Sequence, residues 1–441
     1  MFAYYLQLAL RSLKRNKVLT ALMVLAIAVG IGASMTTLTV MHLLSGDPLP
    51  GRSAHIFYPQ VDAAPAHYTG RSPVPLDMLD YRSALDLWSA HRADRQALVA
   101  DSPVKVTAPE SGLSPLMLSM LSTTSDFFPM FKVPFQYGSA WTAADDGDRA
   151  RVAVISSRLN DTLFHGSDSV GRTLVVRGTT VRIVGVLAPW RPSPQFYDVR
   201  GGRFAQGDTA SFYAKPEDVF LPFSSSLEIN DGHFQQFTCW AMPGKPGNLV
   251  DSPCAWVALW VQLDTPAKVK AYRTFLANYA RQQKSIGRFA NDETRMMSLM
   301  QWLDYNHVVP SNVKLQAWLA FAFLAICLFN TVGLLLAKFL RRSGEIGVRR
   351  ALGASRSAIF GQCLSEAGLI GLIGGIGGWL LTLAGLWLVR NQDTPYADLV
   401  HLDLSMFVVT FVLAFAVSLL AGTLPALRAS HIAPALQLKT L

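Results

Sequence analysis

The sequence predicts an integral membrane protein with four transmembrane helices and a large α+β domain inserted between the first and the second. Three observations predict it. Only 16% of the 441 residues are charged and 51% are hydrophobic, against roughly 25% charged in ordinary soluble domains. Four windows, 18–46, 315–337, 367–389 and 404–427, contain no Asp, Glu, Lys or Arg, and each exceeds the 18 or so residues a spanning helix needs. Between the first two windows lies a long segment of mixed polar and apolar texture.

The first window follows basic residues and stays apolar far beyond the 7–15 or so residues of a cleavable signal, so it is read as a retained anchor. Its excess length over a bilayer leaves two readings, a tilted helix or one that continues out of the membrane as a stalk. Residues 1–17 place Phe2, Leu6, Ala9, Leu10 and Leu13 on one helical face. That pattern fits a helix lying on the membrane interface, or the start of the first span. The chain then divides into a first span and stalk at 18–46, the inserted domain at 47–314 and a second span at 315–340. A polar segment follows at 341–362, then a third span at 363–389, a short loop at 390–403, a fourth span at 404–427 and a tail at 428–441.

Charge orients the spans. The termini and the segment between spans two and three carry +10, the inserted domain +1 and the last loop −2, within a net charge of +9. The positive-inside rule therefore places both termini in the cytoplasm and the large domain outside. Because the inserted domain is almost neutral, the basic balance reports topology, and nucleic acid is excluded as a partner.

Inside the domain, Val152–Ile155 reads as a strand before a helix, and TLVVRGTTVRIVGVL as a hairpin around 178–180. VFLPF and AWVALWVQLD read as further strands, 267–284 as a helix, and 189–210 as a long loop. Strands mixed with helices give the α+β class. Cys239 and Cys254 flank a Pro/Gly-rich loop in this outer domain, where the compartment permits a disulfide; the pair is a candidate. Cys327 and Cys363 lie in or beside spans and read as small buried residues. In the third span, Gly371 with Gly375 and Gly374 with Gly378 repeat at four-residue spacing. Such spacing admits close helix approach, either within the chain or between copies.

Several chemistries are missing. The chain has no G-x-x-x-x-G-K-[ST], H-E-x-x-H, C-x-x-C or G-x-S-x-G, so it offers no phosphate cradle, zinc site, metal cluster or activated nucleophile of those kinds. No span carries a central ionisable residue, which disfavours proton-coupled carriage. The chain is expected to be no enzyme.

What remains is the stretch EIGVRRALGASRSAIFGQCLSEAGLIGLIGGIGGWLL. It resembles the turn and glycine-rich span of FtsX/MacB-type permeases of ABC transporters, whose pattern E-I-G-x-x-[RK]-A-x-G-[AS] is matched at Glu345, Ile346, Gly347, Arg350, Ala351, Leu352, Gly353 and Ala354, with Glu366 beyond. The tail LPALRASHIAPALQLK is similar to that family's closing motif at Pro425, Ala426, Arg428, Ala429, Pro434 and Leu438. The inserted domain resembles the MacB-type periplasmic domain in TTSDFFPMFKVPFQYGSAWTAADD and in the segment from Val152 to Leu187.

The resemblance implies a type VII ABC-like fold in a bacterial inner membrane. It implies a dimer with a second copy or a paralogue, a cytoplasmic ABC ATPase as partner, and mechanotransmission in place of a substrate channel. MacB itself carries a fused ATPase; this chain starts at the interfacial segment, so its ATPase, with ATP and Mg, is expected on a separate polypeptide and no cofactor on this chain. The segment carrying Glu345, Gly347, Arg349, Arg350 and Gly353 is then expected to be the ATPase contact. Read without the resemblance, it is equally a docking protrusion or a positive-inside loop. Export of a drug, peptide or toxin, with a periplasmic adaptor and outer-membrane duct, is the leading expectation, and membrane lipid is a partner of the spans. Lipoprotein extraction of the Lol type and FtsX-like signalling to cell-wall hydrolases are the alternatives.

Overall fold

The computed structural model describes residues 8, 9, 12, 13, 15–65, 68, 75–199, 210–244, 248–309, 311–392, 396–400 and 404–431. The chain forms two units, one of the helical segments up to Ser45 and from Val309 onward, the other of Gly46–Val308. Among the described residues, four helices are long and apolar enough to cross a membrane.

In the first unit, α1 runs Lys17–Ser45, α2 Ser311–Leu340, α3 Ser343–Ala351, α4 Arg356–Arg390 and α5 Leu404–Ser430. The 29 residues of α1, at about 1.5 Å each, span about 44 Å, against about 30 Å of hydrocarbon. The third span is expected from 363, yet the helix begins at Arg356, where the Ser355 hydroxyl accepts from the Ala358 amide at 3.2 Å. The seven residues before 363 are thus its first two turns. The segment 1–17 is described only in part; Ala9 and Ser12 are buried there. Phe2, Leu6 and Leu10, and the tail residues Pro434, Leu438 and Lys439, lie outside the described residues.

The glycines of α4 set its packing. A Cβ on Gly374 or Gly378 would stand 2.7 and 2.9 Å from Ile27 and Ile31 of α1. On the adjacent face, a Cβ on Gly375 would stand 2.8 Å from Ala414 of α5, and one on Gly371 only 1.7 Å from the Ser418 hydroxyl. Both four-residue pairs are occupied within one chain, and α4 is held between α1 and α5.

The second unit is α+β. Its strands are β1 Ile56–Val61, β2 Leu79–Asp80, β3 Arg95–Thr107, β4 Leu116–Thr123, β5 Phe135–Gly138, β6 Val152–Ile155, β7 Thr173–Val176, β8 Thr179–Leu187, β9 Val219–Pro222, β10 Thr238–Cys239, β11 Cys254–Gln262 and β12 Thr294–Ser298. They pair in the order β12-β1-β11-β3-β4-β9-β6-β8-β5, with β2 and β10 on β11 and β7 bridging β3 and β8. The β7–β8 turn centres on Arg177 and Gly178, with φ of 46° and 86°. Two positive φ values suit a tight hairpin whose twist matches its strands, so the turn falls one residue earlier than the threonines suggest. The long strand β3 meets β11 at one end and β7 at the other, joining two cores. One gathers Trp256, Leu259 and Tyr272 under helices Tyr81–Ser89 and Pro266–Ser285. The other gathers Ile155, Val181 and Leu221 under helix Ser157–Phe164. Each of these helices has a hydroxyl or carboxylate cap, at Asp80, Thr265 and Ser156, which satisfies an amide the first turn leaves open.

Cys239 and Cys254 are disulfide-bonded and face each other across β10 and β11. The bridge closes a loop over a sequence separation of 15, which by loop-closure entropy stabilises by about 3 kcal/mol. Replacing both cysteines by alanine in the full chain should lower its denaturant midpoint, followed by tryptophan fluorescence. An unchanged midpoint would contradict the assignment of that stabilisation.

Candidate functional site, a braced helix between the second and third spans

The polar segment folds as α3, between the last turn of α2 and the first of α4. Its sequence explains its ends. Glu345 sits in the first turn and Arg349 and Arg350 in the last, as the helix dipole favours. Gly353 leaves the helix at φ +99°, a backbone region that glycine enters freely and a β-branched residue resists. Nothing lies within 4 Å of where a Cβ would stand at Gly353, so the restriction there is conformational. Gly347 is buried inside the helix with Ile346, not at a break in it.

One face of α3 is stitched to its neighbours. Arg342 donates to both oxygens of Glu345, at 3.2 Å each, and to Glu366 on α4 at 3.3 Å. Arg349 donates to Glu345 at 3.0 Å and to Gln362 on α4 at 2.9 Å. Arg350 donates to the Ser430 carbonyl at the end of α5, at 3.1 Å. Arg15 stands 3.6 Å from Glu345. The hydrogen bonds from Arg342, opposed in part by burial, hold the Glu345 carboxyl below the usual carboxylate range. It is ionised at neutral pH, and its pairings persist until pH falls through that lowered value.

Below α3 the network closes on Glu366. Its carboxylate accepts from the Ser12 hydroxyl and pairs with Lys338 from the last turn of α2. Arg342 also donates to Ser12 at 2.8 Å. Lys338 and Glu366 are 0% and 2% exposed. Phe339, Ile346, Ile359 and Cys363 help enclose a space of about 10 Å³ beside them, at the lower limit for a single water.

The opposite face of α3 has no such partners. Val348 is 42% and Leu352 84% exposed, four residues apart and so on one side of the helix, with Ala351 exposed beside them. Glu345, Ile346, Gly347, Arg349 and Arg350 therefore turn inward or brace, whereas Ala351, Leu352 and Gly353 face out and Ala354 is half-buried. Lys338 and Ser12 escape motif reading. Among the described residues no cluster of His, Cys, Asp and Glu is disposed to hold a metal.

This arrangement defines a class of protein: a multi-span membrane protein with an α+β domain inserted after its first helix and a braced polar helix between its second and third spans. A family model of MacB-like periplasmic core domains matches residues 20–276, more than half of the chain, and one of FtsX-like permease C-terminal domains matches 317–434. Similar proteins include the macrolide export ATP-binding/permease protein MacB of Marinobacter nauticus, 26% identical over 71% of this chain and 42% of its own length. The uncharacterized ABC transporter permease YvrN of Bacillus subtilis is 23% identical over 70% of this chain and 67% of its own. The pyoverdine export ATP-binding/permease protein PvdT of Pseudomonas putida is 25% identical over 70% and 41%. This chain belongs to the FtsX/MacB-type ABC transporter permeases. It spans less than half the length of the MacB relative above.

Proposed function

We propose that this chain is the permease of an ABC export system in which an ATPase, carrying ATP and Mg, docks on the outward ridge of α3. The observation that carries the reading is that ridge. Leu352 and Val348 stand apolar and uncovered on a helix whose other face is pinned by Arg342, Arg349 and Arg350. An apolar anchor on a rigid base is what a mechanical contact requires, since a loose one would absorb the push. The charge distribution supports placing α3 and both termini in the cytoplasm and the inserted domain outside. In this reading α1 and α2 relay motion to the inserted domain, in a dimer with a second copy or a paralogue, and an adaptor and outer-membrane duct carry the substrate onward. The names of the relatives, macrolide export and pyoverdine export, support a small-molecule cargo.

Leu352→Glu should leave a folded, membrane-inserted chain that no longer retains the ATPase in detergent, a loss of about 2 kcal/mol or more for a central anchor. A pull-down with tagged permease measures it. Full retention by the variant would remove the ridge from the interface.

A further inference from the structure

We propose that Glu366 is a positioning residue that clamps α3 to α4 and to the N-terminal segment, so that displacement of α3 moves all three together. The inference rests on the docking reading above.

Four points of the chain meet at this one carboxylate: Ser12, Lys338 at the end of α2, Arg342 at the entrance of α3, and α4 itself, which carries Glu366. Arg342 then passes the connection to Glu345, and Arg349 returns it to α4 through Gln362. The apolar contacts around it, from Phe339, Ile346, Ile359 and Cys363, are non-directional. Such surfaces slide past one another at little cost while they stay in contact. Charge-assisted hydrogen bonds are directional. Shearing α3 along α4 would part Arg342 from the carboxylate beside a space with room for about one water, while Lys338, on α2, stays with Glu366, so a buried ion would lose a partner that little water could replace. Shear along this seam is therefore the costly motion, and joint motion the cheap one. Positive-inside topology alone accounts for Arg341 and Arg356 at the surface. It does not account for a lysine with no exposed surface paired to a carboxylate from another helix.

Single substitutions here confound coupling with folding, so the test uses a matched apolar pair, Lys338→Met with Glu366→Leu. Removing both charges together avoids an unpaired ion while deleting the clamp. The full chain, in membrane vesicles with its ATPase, carries a reporter His42→Cys near the end of α1. His42 is exposed, so a maleimide can report its accessibility with and without ATP and vanadate. In the otherwise unaltered chain, trapping should change the labelling rate. In the paired variant the ATPase should still be retained and still hydrolyse ATP, with the nucleotide-dependent change in labelling lost. Retention with an unchanged labelling response would overturn the clamp and leave docking intact. Loss of ATPase retention in the paired variant would also overturn it, since the cluster would then only shape the docking helix. Failure of the unaltered chain to retain any ATPase would overturn the docking reading and the clamp with it.

Discussion

Replacing Gly371 with leucine should prevent α4 and α5 from packing, and even Gly371→Ala should cost about 1–3 kcal/mol, the range for overfilling a packed interior. A Cβ there would lie 1.7 Å from the Ser418 hydroxyl and 2.1 Å from its Cβ. A hydroxyl can rotate away, but a Cβ moves only with its backbone, so α5 itself must shift. Ser418 is further fixed by its hydrogen bond to the Ala414 carbonyl at 2.6 Å. Gly378→Ala should cost less, because its nearest obstacles, the Ile31 methyl at 2.9 Å and Cβ at 3.0 Å, overlap a new Cβ far less. Gly361→Ala, which meets nothing within 4 Å, should be neutral or stabilise by up to about 1 kcal/mol through helix propensity. Thermal unfolding of the three variants in detergent, ranked, checks this. Equal midpoints for Gly371→Ala and Gly361→Ala would refute the packing.

The second large effect is at Glu366. Glu366→Ala leaves Lys338 buried without its partner, and breaking a buried pair from one side costs about 3–5 kcal/mol. The paired Lys338→Met and Glu366→Leu variant should recover most of that loss, since well-packed apolar replacements of buried pairs are often neutral or better. Unfolding midpoints of the single and paired variants decide it. A single variant as stable as the parent would mean that Lys338 finds another partner.

The spans were legible because a missing charge is a signal no local context disguises: the window 18–46 and the helix Lys17–Ser45 nearly coincide. Their polar ends were less so. A charge marks where a helix leaves hydrocarbon, not where it stops, and α4 therefore begins at Arg356, well before the charge-free window that starts at 367. In the inserted domain, β8 announces itself with β-branched residues, but β3 carries Asp101, Ser102 and Pro103 at its centre, which break up its apolar pattern. On the edge away from β4, β11 pairs with β3 up to Val99 and β7 from Val106, so Pro103, which has no N–H for a ladder, falls between them. The site was legible at Glu345 and Gly353, where one local motif dictates a turn. The clamp was not, because Ser12 and Glu366 lie 354 residues apart. One signal was available: Lys338 and Glu366 each border a charge-free window, which puts them at the same depth in the membrane.

The inward engagement of Lys338, Arg342, Arg349 and Arg350 changes what the basic segment offers to solution. Four of its basic side chains are held against neighbouring helices, two carboxylates offset part of their charge, and the ridge beside them is greasy. The six basic residues from Lys338 to Arg356 still outnumber Glu345 and Glu366, so the segment keeps a positive field that speeds encounter with an acidic partner. Salt would slow that encounter, whereas the lifetime of the complex would be set by how well water is kept from Leu352.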